Sequence, residues 1–390
     1  MPDERMGDAT ALMASSGRLA PPSVSVLADA VRTAHREATP LRIVGGGRWL
    51  DAAHPVQASR SLDLSGLSGI VEYVPGDLTL TANAGTTLAE IEEATAAHRQ
   101  WLPFDAFGDP RGTLGATLAT ASAGPLGGSI GLPRDVTVGV TFVTGEGEIV
   151  RGGGRVVKNV AGFDLVRLTI GAWGTLGVIA EATVRLRARP EADETVALML
   201  PTERDALATL LSTVRAASVE PLSAELLSPA CAARCALGDR GVMLVRLAGN
   251  AIGVLHQRST LAKLTACESV SAEVWSRLRQ SDPADRAVVR VSRRPSELGR
   301  LWSSAMSIPG IDAHATLARG IVRLRLTSAE RAALGAFDAE DRRVIESVPP
   351  AWRDAMSSSH TPSDPISRRL RDAFDPGRIL NRGILGEEAS

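Results

Sequence analysis

Two neighbouring stretches in the middle of the chain decide its fold. Residues 158–165 read Lys-Asn-Val-Ala-Gly-Phe-Asp-Leu, and residues 171–179 read Gly-Ala-Trp-Gly-Thr-Leu-Gly-Val-Ile. Their glycines let the backbone approach another backbone or a ligand with no side chain in the way. The second stretch runs directly into an alternating apolar sequence that predicts a strand over 178–186.

A second glycine-rich stretch lies near the beginning of the chain. Residues 45–49 read Gly-Gly-Gly-Arg-Trp and follow a predicted strand over 41–44. Successive backbone N–H groups in such a turn form a concave anion site, and Arg48 would add positive charge. An ordinary flexible turn is the alternative interpretation. The stretch lacks the Gly-x-Gly-x-x-Gly of a Rossmann helix and the Gly-Lys-Ser/Thr of a P-loop, which excludes both motifs.

A third stretch, residues 108–131, is rich in Gly, Ala, Ser and Thr and carries no charge between Thr113 and Gly131. Together with residues 45–49 it predicts a two-loop cradle for the pyrophosphate of a dinucleotide. A tightly packed core of small residues is the alternative. The candidate binding residues in this stretch are Thr113, Leu114, Gly115, Ala116, Thr117, Ser122 and Gly124.

The order of the three stretches resembles the flavin-binding domain of the vanillyl-alcohol oxidase and p-cresol methylhydroxylase (PCMH) superfamily. Residues 158–179 are most similar to its D-2-hydroxyacid dehydrogenase branch, and within that branch to the FAD-binding E subunits of bacterial glycolate oxidases. The resemblance covers residues 21–190 closely and residues 374–381 loosely. It implies an α+β fold, in which a PCMH-type FAD-binding domain of two subdomains is joined to an α+β cap domain with an antiparallel sheet.

The resemblance also implies where FAD would be held. The first loop would hold the pyrophosphate, the second loop would wrap the remaining phosphate and the ribityl chain, and residues 177–179 would line the cofactor. Superfamily members with covalent flavin carry a histidine in the first loop, which is absent here, so we expect non-covalent FAD. Besides the residues of the third stretch, the assigned positions are Gly45, Gly46, Gly47, Arg48, Trp49, Gly177, Val178 and Ile179.

The remaining patterns predict the domain organisation. Residues 1–20 are small, polar and mixed in charge and are expected to be flexible. The FAD-binding domain is expected over 21–190, beginning with a helix that Ser23 caps and that buries Leu27, Val31 and Ala34. Strand and helix patterns predict the cap domain over 191–350. Residues 351–390 are predicted as a final helix and tail. The tail has Leu-Asn-Arg-Gly where members of the resembled family commonly have Leu-Asn-Pro-Gly-Lys, so no role of the tail at the flavin is predicted.

The amino-acid composition argues against several classes of function. The 390 residues are 44% hydrophobic and 22% charged, which is typical of a folded protein. The formal charge of −1 provides no global positive field, so nucleic-acid binding and direct insertion into a membrane are not expected. Three cysteines are too few for a disulfide framework or a four-cysteine cluster. A cytoplasmic protein is expected, with association at the inner face of the membrane only through partners.

The sequence has no cluster of neighbouring histidines that could form a catalytic site. Oxidation of a 2-hydroxy acid needs a base for the hydroxyl proton and a cation for the carboxylate. Catalytic members of the resembled branch use clustered histidines, often around a metal, whereas no two of the six histidines here lie within ten residues of each other. No metal site is predicted. The weak catalytic candidates are His314 and Arg319, with a structural histidine as the alternative.

Two further features have competing interpretations. Cys231 and Cys235 share one helical face, which we interpret as packing, because no third or fourth metal ligand lies near them in the sequence. Lys158 could neutralise a flavin phosphate or could lie on the surface.

Three functions remain open at this point. In the first, the chain is the FAD-binding subunit of a glycolate oxidase complex, with a second flavoprotein subunit and an iron–sulfur subunit as partners. The second is a self-sufficient FAD-dependent oxidoreductase for a small 2-hydroxy acid or an alcohol. The third is a scaffold subunit that has lost the cofactor.

Overall fold

A computed structural model describes residues 17–47, 52, 54–108, 111–154, 164–280, 285–328, 330–338, 340–355 and 365–386. The chain divides into two compact units. The first unit takes the described residues of Met1–Ala123, Leu132–Ala188 and His360–Ser390. The second takes those of Gly124–Gly131 and Arg189–Ser359.

The first unit begins with a small parallel sheet and a helix. Helix α1 (Val24–Arg36) starts at Ser23, whose hydroxyl accepts a hydrogen bond from the Val26 N–H at 3.3 Å, as the sequence predicts. The sheet has the order β1-β3-β2 and holds β1 (Arg18–Leu19), β2 (Leu41–Val44) and β3 (Arg60–Asp63). The prediction of a flexible start up to residue 20 is wrong for β1, because it pairs with β3 and Arg18 forms an ion pair with Asp63.

A second, five-stranded antiparallel sheet completes most of the first unit. Its order is β4-β5-β9-β7-β8, and helix α2 is fixed at its start by a reciprocal pair of hydrogen bonds between Thr87 and Glu90. The sheet strands are β4 (Ile70–Val74), β5 (Thr79–Asn83), β7 (Thr137–Val143), β8 (Ile149–Gly153) and β9 (Val178–Arg185). The smaller elements are α2 (Leu88–Ala96), α3 (Leu114–Thr120), α4 (Pro133–Val136), α5 (Leu165–Thr169) and the pair β6 (Gln100–Trp101) and β10 (Arg187–Ala188).

The C-terminal tail is built into the first unit. After helix α11 (Pro365–Phe374), the buried carboxylate of Asp375 accepts hydrogen bonds from the N–H groups of Ile379 and Leu380, both at 3.0 Å. The N–H of Leu41 on β2 then donates to the Ile379 carbonyl at 2.7 Å. These backbone bonds explain why the tail groups with the FAD-binding domain rather than forming a separate region over 351–390.

The second unit contains an eight-stranded antiparallel sheet with the order β14-β11-β13-β12-β16-β17-β15-β18, which confirms the predicted α+β class. Its strands are β11 (Ala192–Met199), β12 (Ser223–Leu227), β13 (Val242–Gly249), β14 (Cys267–Val270), β15 (Ala287–Ser292), β16 (Asp312–Thr316), β17 (Ile321–Leu326) and β18 (Arg342–Ser347). Strands β14, β16 and β18 were not predicted, because their sequences alternate weakly and include many small or charged residues.

Helices pack on both faces of this sheet. Its main core joins one face of the sheet to α6, α8 and α10, while α7 and α9 form a smaller core that contains Trp275. The bounds are α6 (Arg204–Ala216), α7 (Pro229–Arg234), α8 (Ala251–Leu264), α9 (Glu273–Arg279) and α10 (Leu298–Met306). Residues 124–131 also belong to this unit, unlike their predicted place in the FAD-binding domain, because the Ser129 hydroxyl donates to the Leu222 carbonyl at 2.5 Å.

The second face of the sheet carries a row of charged side chains. Arg323 on β17 lies directly opposite His314 on β16 and Arg290 on β15. Neighbouring like charges destabilise a sheet unless they are compensated. The buried Glu346 carboxylate accepts from Arg323 Nη2 at 2.9 Å and lies 3.5 Å from Arg290 Nε. Burial alone would raise the pKa of Glu346, but the charges of Arg323 and Arg290 lower it below its ordinary value of 4.5.

Removing this charge should destabilise the protein. We expect Glu346→Gln to lower the free energy of unfolding by about 3 kcal/mol, because Arg323 would be left buried without its partner charge. Urea denaturation at neutral pH measures the loss. Glu340→Gln is the matched control and should leave the free energy of unfolding nearly unchanged, since Glu340 is exposed.

The same variant has a defined pH dependence. Because the folded-state pKa of Glu346 is lowered, its stabilising contribution is fully present above pH 4.5 and is lost as the pH falls through the folded value. The Gln variant should therefore lose less stability than the wild type on acidification below that pH. Equal acid dependence in the two proteins would contradict the assignment.

Candidate functional site

The predicted glycine-rich stretches meet around one cleft of the first unit. One wall is the end of β2 with the turn that follows it, a second is the start of α3, and a third is the start of β9. Among the predicted cofactor residues, those that line the cleft are Gly45, Gly47, Thr113, Gly115, Ala116, Gly177, Val178 and Ile179.

The first two walls touch each other through glycine. A Cβ atom at Gly45 would collide with the Thr113 hydroxyl and would lie 3.2 Å from the Ala116 Cβ. A Cβ atom at Gly46 would lie 3.2 Å from the Arg111 carbonyl oxygen. The turn after β2 therefore packs directly on the loop before α3, which is the two-loop arrangement that the sequence predicts.

The hydrogen-bond donors of the two loops are not equally available. The N–H groups of Leu114 and Gly115 donate to the carbonyls of Thr86 and Ala84, both at 2.8 Å. Within the described residues, the N–H groups of Gly46 and Gly47 donate no hydrogen bond. Gly47 has a φ of +73°, a conformation that favours glycine. At Gly47 the turn after β2 thus has a cleft-lining backbone donor that no described carbonyl accepts from, whereas the loop before α3 uses its donors internally.

The third wall is held by the tail. The Asn381 side chain donates from Nδ2 to the Trp173 carbonyl and accepts at Oδ1 from the Ile43 N–H, both at 2.8 Å. Gly174 has a φ of +70°, and a Cβ there would lie 2.9 Å from Asn381 Nδ2. Sequence reasoning missed Asn381 as a cleft residue, although the Leu-Asn of the tail was the signal. The other cleft residues that it missed include Ile43, Ala84, Trp173 and Ile384.

Several predicted cofactor residues do not line the cleft. Leu114 is fully buried, and the Thr117 hydroxyl donates to the Thr113 carbonyl at 3.0 Å. Ser122 is buried, and its hydroxyl has no hydrogen-bond partner in the described part of the chain. Gly124 belongs to the second unit, and Gly46 is not among the residues that line the cleft. Arg48, Trp49 and Lys158 lie outside the described residues.

The catalytic candidates lie in the second unit. His314 is buried on β16, and its Nδ1 lies 2.9 Å from Oε2 of Glu225 on β12. Glu225 is fully buried, and its other oxygen, Oε1, has no hydrogen-bond partner among the described residues. Arg319 follows β16 in the connection to β17. His314 is thus a buried sheet residue oriented by a carboxylate, a partner that the sequence could not indicate.

Cys231 and Cys235 contribute to the packing of the second unit. Cys231 and Cys235 are both buried in the small core of α7 and α9, and Arg234 Nη2 donates to the Cys231 sulfur at 3.3 Å. Among the described residues, the His, Cys, Asp and Glu side chains form no group of three or more that could hold a metal ion. In the same part of the chain, no helix is long and apolar enough to span a bilayer.

The residues of the cleft fit a dinucleotide. The turn after β2 offers the backbone N–H of Gly47 for a phosphate, and Gly45 and Gly115 allow the walls of the cleft to pack closely on Thr113 and Ala84. Apolar groups of Ile43, Val178 and Ile179 line the remainder, as an aromatic base requires.

Known proteins resemble this chain in sequence. Residues 16–153 match the FAD binding domain family. Glycolate oxidase subunit GlcE of Escherichia coli (strain K12) is 39% identical over 168 residues, which are 43% of this chain and 47% of that protein. Glycolate oxidase subunit GlcD of Bacillus subtilis (strain 168) is 33% identical over 44% of this chain and 37% of that protein. The matched region spans less than half the length of these relatives.

Solved structures extend the likeness of fold to nearly the whole chain. p-Cresol methylhydroxylase has a TM-score of 0.74 at 15% identity and covers 95% of this chain and 88% of its own. 4-Ethylphenol oxidase from Gulosibacter chungangensis has a TM-score of 0.71 with the same identity and coverage. The match to the FAD binding domain family supports FAD as the cofactor. Residues 16–153 therefore match the FAD binding domain family, and the chain has the fold of the PCMH-type flavoproteins.

Proposed function

We propose that the chain is the FAD-binding subunit of a glycolate oxidase complex, in which glycolate is oxidised to glyoxylate and electrons pass on through flavin. The observation that carries this proposal is the 39% identity to glycolate oxidase subunit GlcE. A second flavoprotein subunit and an iron–sulfur subunit would be its partners. Any association with a membrane would then be made through these partners.

The role of this chain in such a complex follows from its cleft. When bound, FAD would accept a hydride equivalent and pass electrons on. The backbone N–H of Gly47, which lines the cleft, would hold phosphate. Because the first loop has Arg48 and Trp49 where covalent flavoproteins have a histidine, FAD would be bound without a covalent link.

The described cleft lacks a proton acceptor for the substrate hydroxyl. None of the described residues that line it is a histidine, aspartate or glutamate. The six histidines of the sequence are also dispersed, so the paired pattern of the catalytic branch is not present locally. Both observations support a division of labour in which this chain holds FAD and a partner subunit supplies the substrate base.

Adding a single methyl group at Gly45 tests cofactor binding. We expect Gly45→Ala to weaken FAD binding by about tenfold or more, equivalent to about 1.4 kcal/mol, because the new Cβ would push the turn away from Thr113. The measurement is FAD released into the supernatant after acid precipitation, which also tests non-covalent binding. Gly76→Ala is the matched control, since a Cβ there meets nothing within 4 Å. Equal FAD content in both variants would contradict the assignment of the turn, and a wild-type chain that takes up no FAD would overturn the proposed function.

The division of labour predicts a spectroscopic result. The flavin absorbance of the purified chain should remain unchanged after anaerobic addition of glycolate or D-lactate. The same chain in complex with its partner subunits should be bleached by glycolate. Bleaching of the isolated chain would place the base on this chain instead.

One observation favours a second candidate function, a self-sufficient 2-hydroxyacid or alcohol oxidoreductase. A buried histidine whose Nδ1 is held by a carboxylate, as in His314 and Glu225, is the arrangement by which a general base is oriented. In this function His314 would accept the substrate proton and Glu225 would position the ring.

This second candidate makes its own prediction. The isolated chain would oxidise a 2-hydroxy acid with an artificial acceptor, and His314→Asn would lower turnover about a hundredfold or more. Glu225→Gln would lower kcat with little change in KM, because it disturbs the orientation of the ring rather than substrate binding. A wild-type chain without turnover, or unchanged turnover in His314→Asn, would exclude it.

A further inference from the structure

The first unit contains a further cavity, which opens on the surface beside helix α11. Its volume is about 240 Å³, and it lies between α5, the loop over 170–176 and α11. Leu168, Ile170, Leu176 and Leu370 give it apolar walls. An apolar cavity of about 150 Å³ is enough to hold a benzene molecule, so this one has room for a large apolar side chain.

The loop between α5 and β9 contributes to both this cavity and the FAD cleft. Trp173 and Gly174 line the cleft, whereas Ala172 and Thr175 line the cavity. A molecule seated in the cavity therefore contacts the same short loop as a cofactor in the cleft.

The charged residues that line the cavity in the described part of the chain are all arginines, namely Arg368, Arg371 and Arg378. Arg371 is paired with Asp375 at 3.3 Å, and Arg378 is paired with Asp372 at 2.8 Å. Arg368 is exposed and makes no ion pair or hydrogen bond within the described residues. The exposed side of the cavity thus carries a positive charge without a counter-charge, which favours an acidic occupant.

The apolar and basic surface continues along α11 beyond the cavity. Ile366 is 69% exposed and lies one turn before Leu370, on the same face of the helix. Arg369 is also exposed, and no described residue forms an ion pair with it. A small free anion would cover the cavity alone, so the larger surface favours a segment of a protein.

We propose that this surface docks the electron-accepting partner of the chain, through a segment in which acidic side chains flank an apolar one. The apolar side chain fills the cavity, and an acidic side chain pairs with Arg368. Arginines beside a filled pocket are frequent hot spots of protein interfaces. The position suits this partner because the shared loop places it next to the cofactor cleft. The choice of partner rests on the proposed function, in which an iron–sulfur subunit receives the electrons.

Calorimetric titration of the full FAD-loaded chain with the iron–sulfur subunit tests the charge. Arg368→Glu should weaken binding about tenfold or more, because it places a negative charge against the acidic segment. Raising the NaCl concentration should weaken binding of the wild type more than that of the variant, since salt screens the attraction that the variant has lost. Arg185→Glu is the matched control, because Arg185 is exposed at the end of β9 and lines neither the cavity nor the cleft.

A second variant tests the cavity. Ser367 lines it and is half-buried on α11, so Ser367→Trp should obstruct it and weaken binding about tenfold or more. Ala373→Trp is the matched control, because Ala373 is exposed on the same helix and does not line the cavity. FAD content should be that of the wild type in all four variants, since none of the four positions lines the cleft.

Wild-type affinity in Arg368→Glu or in Ser367→Trp would overturn the docking surface and leave the glycolate oxidase proposal intact. The two variants alter different features, so either one decides if the other fails to fold. Weakened binding of the second flavoprotein subunit, with the iron–sulfur subunit unaffected, would overturn the choice of partner. Binding to phosphatidylglycerol vesicles that Arg368→Glu abolishes would also overturn it, because the surface would then face a membrane. A wild-type chain that binds neither subunit would instead overturn the proposed function itself.

Discussion

The side chain of Asn381 holds together three segments that are far apart in the sequence. It is itself in the tail, it accepts a hydrogen bond from β2 at Ile43, and it donates one to the loop before β9 at Trp173. A left-handed conformation, with a φ of +43°, aims the side chain between them, and asparagine tolerates this conformation better than most residues. The FAD cleft depends on this contact because two of its walls are the segments that Asn381 joins.

The same contact explains particular glycines of the sequence motifs. Gly174 leaves space for Asn381 Nδ2, and Gly145 leaves space for the Asp375 carboxylate, which a Cβ would strike. Asp375 in turn accepts from two backbone N–H groups just before Asn381 and so sets the direction of the tail. Gly174, which stands in the glycine-rich stretch over 171–179, and Gly145 therefore serve the packing of the tail.

Short sequence patterns predicted the elements whose conformation depends on neighbouring residues. The cap at Ser23 and the alternating strand β9 follow from short-range composition, and the shared glycine-rich character of two separate stretches indicated that residues 45–47 meet residues 113–116. The sequence could not indicate that residues 124–131 join the second unit, because the hydrogen bond from Ser129 to Leu222 spans 93 positions. Strand β16 was missed for a different reason: its sequence, Asp-Ala-His-Ala-Thr, has almost no apolar alternation, and its place is fixed by the two strands that flank it.

The second unit pairs buried charges on one face of its sheet. Arg323 is held by Glu346, and Arg325 is held by Asp312 at 2.9 Å, so the buried charges of β16, β17 and β18 largely neutralise one another. On the neighbouring strand β12, the Ser223 hydroxyl and Glu225 Oε1 both lack partners within the described residues. They are two residues apart on one strand and so face the same side of the sheet. Glu225 is engaged on that side through its other oxygen, which lies 2.9 Å from His314 Nδ1, so the protein's own polar contacts occupy this face of β12.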